Sequence, residues 1–191
     1  MFKKLEEYAI NNKIPIMEKE GIDFLTNFIK DNNIKSILEI GSAIGYSAIK
    51  MASINDDINI TTIERDHTRY LEAIKNIKNF QLENQIKVIN ADALETTIND
   101  KYDLIFIDAA KGQYINFFEK FKQCLKDNGF IITDNLNFHG LTNNIDHIKS
   151  KNLKSLVKKI NNYVDFLNNN EEFKTDIINV GDGISISKKN K

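Results

Sequence analysis

The chain has 191 residues, 41% of them hydrophobic, enough apolar material for one well-buried domain. Its net charge of −1 gives no global electrostatic case for nucleic acid, so any such binding needs a local basic patch. A single cysteine, Cys124, excludes an intrachain disulfide framework and a cysteine-built zinc site. With no signal-peptide pattern and no apolar run long enough to span a bilayer, a cytoplasmic protein that makes no membrane contact is expected.

Residues 2–12 read as a short amphipathic helix. Ile14-Pro-Ile-Met17 is extended, because proline biases its predecessor away from helix. Residues 18–31 place Ile22, Leu25, Phe28 and Ile29 at helical spacing. A first strand over 36–40 is followed by a helix over 45–53, a second strand over 58–63 and a helix over 67–79. A third strand over 86–90 leads to a short helix near 93–98. Tyr102-Asp-Leu-Ile-Phe-Ile107 is the continuous apolar run of a central parallel strand. A helix over 113–126 carries Cys124 as a buried filler and ends at an Asn128-Gly129 carboxyl cap, before a fifth strand over 130–133. A long helix over 146–169 precedes a hairpin whose strands, 175–178 and 184–187, flank Gly181-Asp-Gly183. Strands alternating with helices give one α/β domain over 1–191: a doubly wound, mostly parallel seven-stranded sheet with an antiparallel carboxyl-terminal hairpin.

The chemistry gathers where strands end. Ser36-Ile-Leu-Glu-Ile-Gly-Ser-Ala-Ile-Gly-Tyr-Ser47 is a strand running into a small-residue turn and then a helix, the place where an α/β protein holds a nucleotide-like ligand. The spacing Gly41-Ser-Ala-Ile-Gly45 lacks the central glycine that brings a pyrophosphate close. With Glu39 just before it, the loop favours a ligand that bears an amino group, and S-adenosylmethionine fits. Glu64 closes the second strand, where an acid accepts both hydroxyls of a ribose. Asp92, after the third, either accepts from an adenine amine or caps the short helix. Asp108 and Asp134-Asn135 close neighbouring strands: either an all-oxygen set suited to Mg²⁺, or loop caps beside the cofactor. Lys111 lies on the loop over the same place, and His67 and His139 fall on adjacent loops without metal-ligand spacing.

Leu38-Glu-Ile-Gly-Ser-Ala-Ile-Gly-Tyr-Ser47, Thr62-Ile-Glu-Arg-Asp66, Ile107-Asp-Ala-Ala-Lys111 and Ile132-Thr-Asp-Asn135 together resemble the cation-dependent O-methyltransferases, the family of the catechol and caffeoyl-coenzyme A enzymes. The resemblance runs from about Pro15 to the terminal hairpin and implies the Rossmann-like fold of class I methyltransferases. It implies that Met17, Gly41, Ser47, Glu64, Asp92, Ala93 and Asp108 surround S-adenosylmethionine. It implies further that Asp108, Asp134 and Asn135 hold Mg²⁺ and that Lys111 is the catalytic base. Ile14-Pro-Ile-Met-Glu18, Asp108-Ala-Ala-Lys-Gly-Gln-Tyr114 and Asp134-Asn-Leu-Asn-Phe-His-Gly140 are similar to a short bacterial branch that methylates 5-hydroxyuridine at the tRNA wobble position. The implied partner is a tRNA anticodon loop, with a small catechol-like phenol as the alternative acceptor. Lys13, Arg65, Arg69 and Lys111 would supply local positive charge, with solvated surface charge the alternative for the first three; Tyr114 and Phe138 are candidates for stacking on a base, whereas Tyr46 reads first as core packing. Family members are commonly homodimers; Phe2, Leu5, Tyr8 and Ile10 of the first helix offer a surface for that contact.

Overall fold

The computed structural model describes residues 1–137, 140–143 and 147–190. Seven strands, β1 (Ser36–Ile40), β2 (Asn59–Glu64), β3 (Ile86–Asn90), β4 (Tyr102–Ile107), β5 (Leu125–Thr133), β6 (Phe173–Ile178) and β7 (Ile184–Lys189), form one sheet in the order β3-β2-β1-β4-β5-β7-β6. The first five are parallel; β7 pairs antiparallel with both β5 and β6. Around it lie α1 (Phe2–Asn11), α2 (Lys19–Asp31), α3 (Tyr46–Ala52), α4 (His67–Asn79), α5 (Tyr114–Phe121) and α6 (Lys151–Asn168). Among the described residues no helix is long and apolar enough to cross a membrane.

Alternation along the central strands explains the two-sided core. Leu104 and Phe106 of β4 join Ile37 of β1 in a cluster with Leu25 and Ile29 of α2. Ile105 and Ile107 face the other way, with Leu38 and Ile40, onto Phe117, Phe118 and Phe121 of α5. Both faces of β4 are therefore covered, which is why its sequence is apolar without interruption. Phe118 makes edge contacts with Phe173 of β6 and Phe166 of α6 at 5.1 and 5.4 Å between centroids, tying the hairpin and α6 to the sheet.

Four details differ from the sequence reading. The helix expected over 113–126 is α5 alone, which stops at Phe121; a 3₁₀ turn over Lys122–Cys124 leads into β5. Asn128-Gly129 is thus no helix cap. Tyr102 pairs with Leu125 but Leu104 with Phe130, so the intervening residues bulge from the ladder. Lys126 holds the bulge by donating to Asp103 Oδ1 at 2.8 Å and Ser36 Oγ at 2.9 Å. Cys124 is buried as expected, though not in an α-helix. No helix forms over 93–98: after one turn closed by Glu95 N–H and Thr96 N–H on the Asp92 carbonyl, both at 3.0 Å, the chain is irregular. Thr96-Thr-Ile98 is β-branched throughout, which works against helix propagation. The long helix begins at Lys151 rather than 146, because Ser150 Oγ caps it by accepting from Leu153 N–H at 3.3 Å. Finally, Leu5 is buried and Phe2 and Tyr8 pack on the core, leaving only Ile10, 72% exposed, of the apolar residues proposed for a dimer contact.

Candidate active site

The carboxyl ends of the parallel strands open on a cavity of about 810 Å³. Gly41 leaves β1 with φ +99°, and a Cβ there would lie 2.2 Å from the Asp108 carbonyl oxygen. Only glycine lets the first loop lie against the end of β4. Ala43 follows in the left-handed region at φ +45°, held by its N–H donating to Glu64 Oε2 at 2.9 Å. The other Glu64 oxygen accepts from Asp66 N–H at 2.8 Å, so two backbone donors aim this carboxylate at the cavity wall. Asp92 also lines the cavity, with Oδ1 accepting from Leu94 N–H at 2.8 Å; Ala93 and Met17, both buried, complete that wall.

Glu39 does not meet a ligand. It is fully buried and is not among the lining residues; Ser47 Oγ donates to one oxygen and Thr62 Oγ1 to the other at 2.5 Å. Burial pushes its carboxyl up to about 7, against the pull of these two hydroxyls. The acid that seemed placed for an amino group is a buried support, and Ser47 presents the cavity with a hydroxyl already committed to it.

Asp108, Asp134 and Asn135 come together at the ends of β4 and β5. Asn135 Nδ2 donates to Asp134 Oδ2 at 2.7 Å and to Asp108 Oδ1 at 3.3 Å. Asn135 adopts φ +68°, a conformation asparagine tolerates better than most side chains. Burial, then the neighbouring Asp108 charge, pushes Asp134 up to about 7. Burial raises Asp108 too, opposed by Lys111. Lys111 is itself drawn down by burial, with Asp108, Asp134 and Asp182 holding it up. Two carboxylates forced together, an amide able to present oxygen once turned over, and a lysine with a weakened hold on its proton form a unit suited to a divalent cation and proton removal.

All the residues assigned to cofactor, metal or catalysis from sequence thus line one cavity. Arg65 and Arg69 also line it; Lys13 does not. Tyr114 cannot stack on a base: it is buried, and its hydroxyl donates to the Asp134 carbonyl at 2.9 Å. Tyr46 lines the cavity but is buried in the core, as the sequence reading expects, with its hydroxyl donating to Glu6 at 2.8 Å; His67 bonds Asn90 at 2.7 Å away from the cavity. Phe138 and His139 lie outside the described residues. Asp182, in the β6–β7 turn, was missed. Its signal, an acid between two glycines, reads from sequence simply as a hairpin turn.

A doubly wound sheet with this strand order, ending in an inserted hairpin, and a site of this composition define a methyltransferase. The O-methyltransferase family matches residues 1–190, and the chain belongs to that family. It is 27% identical over 175 residues to a caffeoyl-CoA O-methyltransferase of Populus kitakamiensis, covering 87% of this chain and 74% of the relative. A solved structure of a candidate caffeoyl-CoA O-methyltransferase from Staphylococcus aureus is 43% identical with a TM-score of 0.95, covering 99% of this chain and 92% of that one. The SAH-bound methyltransferase of Podospora anserina, 23% identical, shares the fold at a TM-score of 0.84 over 92% of this chain and 80% of its own.

Proposed function

We propose that this O-methyltransferase uses S-adenosylmethionine and Mg²⁺ to methylate 5-hydroxyuridine at position 34 of tRNA, giving 5-methoxyuridine. The observation that carries the chemistry is the convergence of Asp108, Lys111, Asp134 and Asn135 on the cavity that Gly41 and Glu64 also line. The donor set fits a hard cation, and the crowded Asp108–Asp134 pair has the like-charge repulsion that a divalent cation relieves. Bound there, Mg²⁺ would supply Lewis-acid polarisation of an acceptor with two adjacent oxygens, such as the 5-hydroxyl and 4-carbonyl of 5-hydroxyuracil or the diol of a catechol.

The protein's own residues do the rest. Glu64 and Asp92 orient the nucleoside of the donor, and the Gly41 loop leaves room for its amino-acid tail. Lys111 Nζ takes the proton of the acceptor hydroxyl. That oxygen then bonds to the donor methyl carbon as the carbon–sulfur bond breaks, its electron pair passing to sulfur. Much of the rate comes from holding the two in line.

The RNA reading is supported by arginine placement. The chain has 26 basic residues but only two arginines, and both line this cavity. A guanidinium presents a planar fork to phosphate that lysine cannot. We also propose a homodimer.

The test is incubation with labelled S-adenosylmethionine, Mg²⁺ and tRNA from cells lacking 5-methoxyuridine, followed by nucleoside mass spectrometry. A gain of 5-methoxyuridine that a chelator abolishes supports the reading. Transfer to a catechol but not to the RNA moves the substrate to catechol-bearing phenols, the chemistry of the caffeoyl group in the relatives' names.

A further inference from the structure

Asp182 is a carboxylate that the mechanism above leaves unused. It is 6% exposed, yet it lines the cavity. Its turn is fixed against the segment that carries Asp134 and Asn135. Asn137 N–H donates to the Asp182 carbonyl at 2.7 Å, and Leu136 N–H donates to the Gly183 carbonyl at 3.0 Å. A Cβ on Gly183, at φ +84°, would lie 2.8 Å from Asn137 Cγ and 2.9 Å from its main-chain nitrogen, so the two segments pack in direct contact that only glycine permits. The Asp182 charge bears on both Asp134 and Lys111. Burying a carboxylate is costly, and a turn between two glycines does not require one.

We propose that Asp182 is a specificity-determining residue whose carboxylate accepts the N3–H of the 5-hydroxyuracil ring. The inference rests on the RNA reading above. In that ring the 4-carbonyl stands between the 5-hydroxyl and N3–H. An edge that turns its two oxygens to Asp108, Asp134 and Asn135 therefore carries N3–H round the same side, where the hairpin turn abuts the metal-binding segment. A catechol has only C–H groups flanking its diol and gains nothing from a carboxylate at that place. Asp182 thus selects a pyrimidine imide over a plain diol.

The test is a residue-by-substrate cycle. Anticodon stem-loops carrying 5-hydroxyuridine or its N3-methyl derivative, which keeps both oxygens and loses the donor, are titrated into the protein with S-adenosylhomocysteine and saturating Mg²⁺. Transfer is measured in parallel. N3 methylation should weaken binding to the wild type by about ten- to a hundredfold, the range that a hydrogen bond to a charged group commands. Asp182→Ser should weaken binding of the unmethylated RNA by a similar factor, and N3 methylation should then cost it less than about threefold further. Asp182→Asn, which keeps an acceptor without the charge, should fall between them, and it carries the test if the serine variant fails to fold by circular dichroism. An N3-methyl penalty of equal size in wild type and variants overturns the assignment. Failure of the wild type to bind or methylate the 5-hydroxyuridine RNA at all overturns the RNA reading first, before any variant is compared.

Discussion

Replacing Asp134 by asparagine should make the metal-free protein more stable at pH 8 while abolishing methyl transfer. Asp134 is 3% exposed, and its carboxyl lies at about 7 instead of the ordinary 3.8. Below pH ~4 the acid is protonated in both folded and unfolded chains, and it contributes nothing to the pH dependence. Between about 4 and 7 the unfolded chain ionises while the folded one keeps its proton, so stability falls as pH rises. Above about 7 both are ionised and the penalty is complete. At 1.36 kcal/mol per pH unit the full penalty is about 4 kcal/mol. Asparagine matches the shape and can turn its oxygen to Asn135 Nδ2, which now donates to Asp134 at 2.7 Å, so little is lost in exchange. Urea unfolding followed by circular dichroism in chelator should show the variant's advantage growing from near zero at pH 4 to about 2–4 kcal/mol at pH 8, part of the repulsion being returned as Asp108 relaxes. Excess Mg²⁺ should stabilise the wild type alone. A gap that is the same at both pH values, or a variant less stable than wild type at pH 8, would refute the reasoning.

Three further outcomes follow from the site. Lys111→Met should lower kcat about 10²- to 10⁴-fold with little change in S-adenosylhomocysteine affinity by calorimetry. Since burial draws Lys111 down and the neutral amine is the base, wild-type kcat should rise with pH until the amine is deprotonated, a rise that the variant lacks. Gly41→Ala should lower Tm and abolish S-adenosylhomocysteine binding, because its Cβ would stand 2.2 Å from the Asp108 carbonyl oxygen; calorimetry and thermal melts read both. Tyr114→Phe removes the hydroxyl that holds the Asp134 carbonyl; it should cost about 1–2 kcal/mol of stability in urea and weaken Mn²⁺ binding measured by electron paramagnetic resonance.

The strand ends were legible because parallel neighbours must end together: an acid that closes β4 and one that closes β5 meet whatever lies between them in sequence. The same logic placed Glu64 and Asp92 on one rim. It failed for Glu39, since a residue one position before the strand's last points to one face or the other, and sequence did not show that the chosen face was closed by Ser47 and Thr62. It failed for Tyr114, whose aromatic ring reads equally as a stacking surface or a buried strut until the Asp134 carbonyl is found beneath it. Asp182 was hidden because a hairpin's position in the sheet is a tertiary fact. Only when β7 lies next to β5 does the turn before it reach the site. The bulge at Lys126–Gly129 was misread because Asn-Gly serves caps and irregular strands alike.

Because β7 lies between β5 and β6, the terminal hairpin is what covers the outer edge of β5. Five parallel strands can pair, and the cavity can take its donor-binding rim, while β5 is still a bare edge. That edge is apolar at Ile131 and Ile132, a template for any extended chain that arrives first. The hairpin seals it, and the same docking brings in Asp182. Covering that edge and completing the cavity wall with Asp182 are therefore one event, so damage to the hairpin should lower solubility and alter the cavity together.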